Sequence, residues 1–470
     1  MLGGFVLYAV SAPHSIAASW TGLSFATLGW LVRTLATQHL RVTRTALDLP
    51  LWLFFVWTIL SALLSTEPRI SLPKLASVSV FLIFYLAQSL LTRTMIVLLA
   101  SLMIVSGTAG ALWSALEVVR GRGMIIEEIA PDSSLRRAAP LLQAGDTIWR
   151  VGNRRVTSVT EIDKALRSAP VGTWMALHVI ANGEHVVWDG VLITNELKRA
   201  ASPSGIKGRA STHRFRASGW TRHYETFAEV LQMLAQLALG LALANFQRRR
   251  THWRVWLPAI AFLLLATGIA LTAMRTVLVA FAIGACVVAW RAVAGKRERI
   301  LVSLVLVAIL SLGAIAVWQT RARGALRLQD ASATLRWNVA LAALERIPLH
   351  PVFGHGMDAV NSHWTEWNFP GQQKIHTHST WVQLAFDRGI PALLLWLWII
   401  AAFWRLATRA ERIWRASPDD ANAHGFTLGA CGALAGFFAS SIVNYNFGDA
   451  EVALLFWWMM GAIVVLRKDG

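Results

Sequence analysis

The chain is poor in cysteine and in charge. It has two cysteines, Cys286 and Cys431, and both lie within apolar runs. Two thiols so far apart give no disulfide framework to expect and exclude a Cys-x-x-Cys metal site. Only 15% of its 470 residues are charged, whereas 55% are hydrophobic and the mean hydropathy is +0.50. A soluble domain of this length cannot bury that much apolar surface, so the composition excludes a soluble fold.

The apolar residues come in long, uninterrupted runs. A run of about 20 apolar residues spans the roughly 30 Å hydrocarbon layer of a bilayer, where only helices and closed barrels satisfy their backbone groups. Because the runs do not alternate with polar residues, they predict helices. The sequence therefore predicts an all-α polytopic membrane protein with about 12 transmembrane helices. We place them near residues 2–12, 15–36, 49–65, 72–91, 94–118, 227–246, 255–273, 276–293, 300–319, 380–404, 425–443 and 451–466.

Acidic residues are also few, with 26 Asp and Glu against 44 Lys and Arg, a formal net charge of +18. In a soluble protein this excess suggests a nucleic-acid partner, but membrane proteins collect Lys and Arg at cytoplasmic helix ends. We therefore expect no nucleic acid. The short basic connections, such as those containing Arg93, Arg291 and Arg405, share one face of a twelve-span arrangement, while the loop 444–451 on the other face is acidic. This predicts an inner-membrane protein with both termini cytoplasmic and both long insertions periplasmic.

These assignments divide the chain into six segments. No basic segment precedes the first apolar run, so we expect no cleavable signal peptide. The predicted segments are transmembrane helices 1–5 in residues 1–118, a small periplasmic domain in 119–197, a basic periplasmic linker in 198–226, transmembrane helices 6–9 in 227–320, a periplasmic loop in 321–379 that carries the chemistry, and transmembrane helices 10–12 in 380–470.

Residues 123–194 of the first insertion form their own pattern. Short β runs with Gly-Asp and Asn-Gly turns predict a small α/β module. The order of Ile125–Pro131, Ala144–Ile148, Val156 and a helix over Thr160–Ser168 resembles a bacterial PDZ domain. That resemblance implies a peptide or protein partner bound by strand addition. The Leu-Gly-Phe type of carboxylate-binding loop is not found, and the alternative is a spacer or lid that packs on the membrane domain.

The second insertion and its flanks carry a series of short motifs. An arginine begins a span, another arginine precedes a tryptophan, a proline is followed by two spaced glycines, and a histidine precedes a span that contains a further glycine. In order these are Met274-Arg275, Arg336-Trp337, Pro351-Val352-Phe353-Gly354-His355-Gly356, His378-Ser379-Thr380-Trp381-Val382-Gln383 and Gly389-Ile390.

The motifs and their order resemble the O-antigen ligase and O-antigen polymerase superfamily of membrane glycosyltransferases. Met274 stands where that family commonly has Ser, Ser379 where it usually has Asn, and Val382 where it usually has Leu. The resemblance implies an enzyme of lipopolysaccharide biosynthesis that transfers a glycan from undecaprenyl diphosphate to an acceptor hydroxyl at the membrane surface. Ligation to lipid A–core leads, with polymerisation or protein O-glycosylation as alternatives, and an inserted PDZ-like domain is not the family norm.

The resemblance also assigns roles to residues. A diphosphate needs cationic partners, and arginine's planar fork matches phosphate oxygens, so Arg275, Arg336 and Arg216 are expected to bind it. His378 is expected to accept the acceptor's proton as general base. Each has a structural alternative, which is a snorkelling arginine, a surface ion pair or a helix cap. His376 is a weaker candidate, and we expect neither a metal nor another cofactor, since the histidines of 350–378 lack a zinc spacing.

Two other classes compete with a transferase. A zinc-dependent membrane protease needs His-Glu-x-x-His, which the chain does not contain. A lipid or polysaccharide transporter usually places charged or broken-helix sites at the bilayer midplane, whereas the ionisable residues are here expected at the outer surface. Surface chemistry is therefore the favoured interpretation.

Overall fold

The computed structural model describes the chain as two compact units. One comprises Met1–Ala111, Trp220–Ala270 and Met274–Gly470, and the other Leu112–Gly219 with Leu271–Ala273. The described residues are 1–38, 42–131, 133, 135–136, 142–181, 184–209, 211–213, 215–221, 223–248, 255–293, 295–301, 304, 327–371, 376–417 and 420–468. Most of the span predicted at 300–319 lies outside them.

The helices dominate the first unit. In chain order they are α1 (Leu2–Ser11), α2 (Ile16–Thr37), α3 (Asp48–Leu64), α4 (Pro68–Ser71), α5 (Leu75–Val78), α6 (Leu82–Leu90), α7 (Arg93–Arg120, which continues into the second unit), then α10 (Tyr224–Arg248), α11 (Trp256–Leu271), α12 (Arg275–Ala292), α13 (Arg327–Arg346), α14 (Ala359–Ser362), α15 (Thr380–Ala416), α16 (Ala421–Ser441) and α17 (Ala450–Lys468). Short 3₁₀ turns at Leu72–Lys74 and Ser79–Phe81 join α4, α5 and α6.

Six helical segments within the described residues are long and apolar enough to cross a membrane. They are Pro68–Leu90, Arg93–Arg120, Tyr224–Arg248, Arg275–Ala292, Thr380–Ala416 and Ala450–Arg467, and the apolar helices α1, α3 and α11 are shorter. The mostly helical class is thus confirmed, with six candidate membrane-spanning helices in the described residues. The count of about 12 spans stays a prediction.

Glycines bring three helices of this unit into close contact. An added Cβ at Gly240 of α10 would lie 2.3 Å from the carbonyl oxygen of Gly425 in α16. One at Gly284 of α12 would lie 2.6 Å from the carbonyl oxygen of Gly432, also in α16. Small residues let helix backbones approach at such interfaces, where apolar surfaces alone give little drive to associate in a membrane. The helix α10, buried along most of its length, is therefore a central element of this unit.

The helix α15 is broken at Gly389, whose φ of 79° and ψ of 168° are not helical. Pro391 has no N–H to donate to the carbonyl oxygen of Asp387, and Ile390 donates to Pro351 at 2.8 Å instead of to Phe386. The carbonyl oxygens of Phe386 and Asp387 instead accept hydrogen bonds from the backbone N–H groups of His355, at 2.8 Å, and Gly356, at 2.9 Å. The Pro-x-x-Gly-x-Gly motif therefore completes the broken helix.

The second unit contains a six-stranded antiparallel sheet. Its strands are β1 (Met124–Ile129), β2 (Thr147–Val151), β3 (Arg154–Arg155), β4 (Trp174–Ala181), β5 (Glu184–Leu192) and β6 (Ile206–Arg209), with helices α8 (Val159–Ser168) and α9 (Asn195–Arg199). The sheet order is β5-β4-β2-β1-β6, and β3 pairs with β2. The PDZ-like fold of this unit stays a prediction.

The strand β6 comes from the segment that the sequence analysis assigns to a basic linker. Ile206 is buried, while Lys207 is exposed and its Nζ lies 2.8 Å from Oε2 of Glu128 on β1. The backbone N–H of Ser204, just before the strand, donates to Oδ1 of Asp163 in α8 at 2.9 Å. The alternation of apolar and basic residues that marks an edge strand is only four residues long here, so the basic charge dominates the sequence pattern.

Candidate functional site

Asn444, between α16 and α17, contacts four helices of the first unit. Its Nδ2 donates to Oγ1 of Thr276 at 3.1 Å and to Oε1 of Glu229 at 3.1 Å, and its Oδ1 accepts from Nη1 of Arg336 at 3.2 Å. Its backbone oxygen accepts from the N–H of Thr380 at 3.1 Å. One buried residue therefore joins the start of α12, α10 and α13 through its side-chain amide and the start of α15 through its backbone oxygen.

Arg336 lies within this network on α13. It forms an ion pair with Glu225, the second residue of α10, and the two side chains are 21% and 28% exposed. The hydrogen bond to Asn444 holds a second edge of the guanidinium group. A half-buried arginine oriented from two sides is suited to bind an anion without first losing side-chain entropy.

His378 precedes α15 in a constrained segment. Its φ is 56°, in the left-handed region, which costs a residue other than glycine roughly 1–3 kcal/mol and recurs at functional sites. Its N–H donates to Nδ1 of His376 at 3.1 Å, and the N–H of Thr377 donates to Oε1 of Gln383 at 2.7 Å. Ser379 caps the helix, with its hydroxyl accepting from the N–H of Val382. The backbone on both sides of His378 is thus fixed.

The surroundings of His378 favour a neutral ring. Burial lowers its pKa to about 3, with further lowering by His376 and Arg336, while the carboxylate of Glu225 acts in the opposite direction. Burial likewise lowers the pKa of His376 to about 4. Nδ1 of His378 is buried and has no hydrogen-bond partner within the described residues. A neutral imidazole with a free nitrogen can accept a proton.

The other two predicted arginines, Arg275 and Arg216, lie on other segments of the chain than Arg336. Arg275 is half-buried and begins α12, directly before Thr276, whose hydroxyl bonds to Asn444. Arg216 is half-buried in an irregular segment of the second unit. The structure therefore brings His378, His376 and Arg336 into one electrostatic cluster and places the backbone of Arg275 next to it through Thr276.

A cavity of about 610 Å³ lies in the first unit. Its apolar walls include Phe54, Phe81 and Trp457, and its polar lining includes Lys74, His376, Gln383, Asp387, Arg388 and Tyr445. Cavities of this size with apolar walls and a few converging polar groups are the usual form of small-molecule sites. Its border with His376 connects it to the cluster around His378.

Sequence reasoning missed several members of this site. Glu225, Asn444 and Arg388 were not among the candidates, although Asn444 stands in the polar run Asn444-Tyr445-Asn446 between two apolar segments. That interruption was the available signal for Asn444. In the described part of the chain, no group of three or more His, Cys, Asp or Glu side chains is placed to hold a metal ion.

The comparison with known families bears on the segment that holds much of this site. Residues 260–397 match the family described as O-antigen ligase, a range that contains Arg275, Arg336 and His378. No curated protein matches the chain. The family match and the apolar helices together support a membrane glycosyltransferase-like role. Residues 260–397 are thus similar to the O-antigen ligase superfamily, which the motif order of the sequence also resembles.

Proposed function

We propose that this protein transfers a glycan from undecaprenyl diphosphate to an acceptor hydroxyl at the periplasmic face of the inner membrane, with ligation of O antigen to lipid A–core as its reaction. The observation that carries the proposal is the cluster at the start of α15, where His378 lies within electrostatic range of Arg336 and Glu225. A proton acceptor and an oriented cation are the two groups that displacement of a diphosphate requires.

The arginines act on the donor. Arg336 and Arg275 bind the diphosphate, and their guanidinium groups stabilise the negative charge that develops on it as it leaves. Before the donor binds, the ion pair with Glu225 and the hydrogen bond to Asn444 hold Arg336 in place. The diphosphate carries more charge than one carboxylate, so it competes for the guanidinium group of Arg336.

His378 acts on the acceptor. The acceptor oxygen forms a bond to the anomeric carbon, the bond from that carbon to the diphosphate oxygen breaks, and its electron pair leaves with undecaprenyl diphosphate. The acceptor proton passes to His378. Glu225, whose carboxylate favours the charged imidazole, stabilises the product imidazolium. We expect this reaction to need no metal ion.

The test is transfer by the purified full chain in nanodiscs, with a synthetic undecaprenyl-diphosphate glycan and a lipid A–core acceptor. His378→Ala is expected to lower kcat by roughly 100- to 10,000-fold, and Arg275→Lys and Arg336→Lys also to fail because an ammonium lacks the fork. His350→Ala, at an exposed position of the same region, is the matched control. A near-normal rate in His378→Ala, or arrest of the wild type by EDTA, would refute this mechanism.

Products separate the alternatives within the class. Deletion of the gene should remove the lipopolysaccharide ladder and leave lipid-linked polymer if the enzyme is a ligase. Single-repeat capping would identify a polymerase, and loss of glycoprotein bands would identify a protein O-oligosaccharyltransferase. Donor that crosses the bilayer with no new glycosidic bond would identify a transporter.

A further inference from the structure

The break in α15 leaves a charged side chain inside the first unit. Arg388, the residue before Gly389, is 5% exposed and lines the cavity described above. Its Nε and Nη1 are buried and have no hydrogen-bond partner within the described residues. The nearest ring, that of Phe54, has its centroid 5.5 Å from the guanidinium carbon. Two donors of a permanent cation therefore remain unused beside the cavity.

The fold does not account for these unused donors. The helix break is completed by backbone groups, and at Arg388 it is the carbonyl oxygen that accepts a hydrogen bond, from Nε1 of Trp57 at 3.0 Å. The side chain contributes nothing to that arrangement. Because buried hydrogen-bond donors without a partner cost free energy, and because broken membrane helices commonly form ligand sites, the unused donors indicate an anion-binding site.

The other charges around the cavity leave Arg388 available. Lys74, at 48% exposure, is paired with Asp358 at 2.7 Å. Asp387 accepts a hydrogen bond from Nε2 of Gln383 at 2.8 Å, and His376 is kept neutral by burial. Asp387 lies within electrostatic range of Arg388 but does not take up its Nε or Nη1. The described residues therefore offer one buried cation with two unused donors, and a second cation near it, between aromatic walls.

We propose that this cavity binds the acceptor, and that Arg388 binds an oxyanion, a phosphate or a carboxylate, which the acceptor carries beside its sugar rings. The inference rests on the proposed function. The guanidinium fork matches the oxygens of either anion, and aromatic walls such as Phe81 and Trp457 suit the apolar faces of sugar rings.

The position of the cavity assigns it to the acceptor and not to the donor. His376 lines the cavity and accepts the N–H of His378, so the cavity ends next to the proposed base. Arg336, the proposed donor ligand, is held by Glu225 and Asn444, and none of these three is part of the described lining. In a displacement the acceptor oxygen approaches from the side opposite to the leaving diphosphate, so the two substrates need separate sites.

The test measures binding without transfer. Radiolabelled decyl phosphate is titrated onto the full chain in nanodiscs, with empty nanodiscs as background and with decyl glucoside and inorganic phosphate as competitors. Decyl phosphate should bind the wild type, and Arg388→Gln should weaken its affinity about 10- to 100-fold. Arg405→Gln, at an exposed position of the same helix, should bind as the wild type does.

Three outcomes would overturn the proposal. Wild-type affinity in Arg388→Gln would remove Arg388 from the site. Equal competition by decyl glucoside would show that the anion is not recognised. Inorganic phosphate that binds as tightly as decyl phosphate would identify a free-anion site, which is not an acceptor site.

Thermal unfolding of the same variants tests whether Arg388 is structural. Removal of buried donors that have no partner should leave the Tm of Arg388→Gln unchanged or raise it, whereas the rise in Tm on adding decyl phosphate should be lost. Arg388→Lys keeps the charge without the fork and should bind with intermediate affinity. A Tm that falls sharply in both variants would make Arg388 a structural residue and refute the proposal.

The variant His378→Ala separates this inference from the proposed function. It should bind decyl phosphate with wild-type affinity while it transfers no glycan. A wild type that binds decyl phosphate through Arg388 and yet transfers no glycan would contradict the proposed function and leave the oxyanion site standing. Normal glycan transfer together with unaltered decyl phosphate binding in Arg388→Gln would contradict the oxyanion site and leave the proposed function standing.

Discussion

Nη1 of Arg336 donates a hydrogen bond to Oδ1 of Asn444 over 3.2 Å, between residues 108 positions apart in the chain. The same amide donates from Nδ2 to Thr276, directly after Arg275. Asn444 thus relates an arginine of α13 to the start of α12. Because each contact uses a different amide atom, no smaller side chain at position 444 can make both.

The first prediction is that Asn444 positions the donor's ligands. Asn444→Ala should lower kcat/KM for the lipid-linked donor by about 10- to 100-fold, since hydrogen bonds to charged groups are worth about 1.5–3 kcal/mol. The loss should appear mainly as a higher KM for the donor, with KM for the acceptor unchanged. Asn422→Ala, at an exposed position, is the control. An unchanged donor KM would show that Asn444 has only a structural role.

The second prediction concerns pH. Burial lowers the pKa of His378 to about 3, so the ring of the free enzyme stays neutral well below pH 6.5. We expect kcat/KM at pH 5.5 to lie within about twofold of its value at pH 7, where a histidine with an ordinary pKa would lose about tenfold. A bound diphosphate adds negative charge and raises this pKa, so the acid limb of kcat should lie at higher pH than that of kcat/KM.

Steady-state rates from pH 4.5 to 8 check this ordering, with the residual activity of His378→Ala as the reference. Coincident acid limbs near pH 6.5 in both profiles would contradict it. They would mean that the ring of His378 is solvated in the working enzyme.

The third prediction tests the helix break. Gly389 has a φ and ψ that are essentially restricted to glycine, and an added Cβ would lie 1.9 Å from the carbonyl oxygen of Val352. Gly389→Ala should therefore lower the Tm in detergent by several degrees or prevent recovery of monodisperse protein. Gly3→Ala, where no atom lies within 4 Å of the added Cβ, should behave as the wild type. Equal Tm values for the two variants would disprove the account of the break.

The fourth prediction is the orientation in the membrane. We expect both insertions to face the periplasm, because the short basic connections indicate the cytoplasmic side. In a chain with Cys286 and Cys431 replaced by serine, single cysteines at the exposed positions Lys164 and Glu345 should react with an impermeant maleimide on intact cells. A cysteine at exposed Lys296 should react only after lysis. Labelling of Lys296→Cys in intact cells would reverse the orientation and move the proposed chemistry to the other face.

The sequence by itself determined the structural class of this protein and the family that its residues 260–397 match. Apolar runs that do not alternate with polar residues exclude a barrel, so helices are the only elements that satisfy the backbone in a bilayer. The long apolar helices of the structure agree with this mostly helical class. The motif order around Arg275, Arg336 and His378 led to the superfamily that residues 260–397 match. Both inferences rest on local patterns, which the sequence displays directly.

Only the tertiary structure decided which residues meet. The pairing of Arg336 with Glu225 and Asn444 joins segments more than 100 residues apart, and no periodicity in the sequence encodes such a pairing. In the sequence, the Pro351–Gly356 motif was only one member of a series of motifs. The hydrogen bonds from its backbone to the break in α15 gave it a structural role. Arg388 looked like one basic residue among many, because burial without a partner is a property of its surroundings and not of the residue.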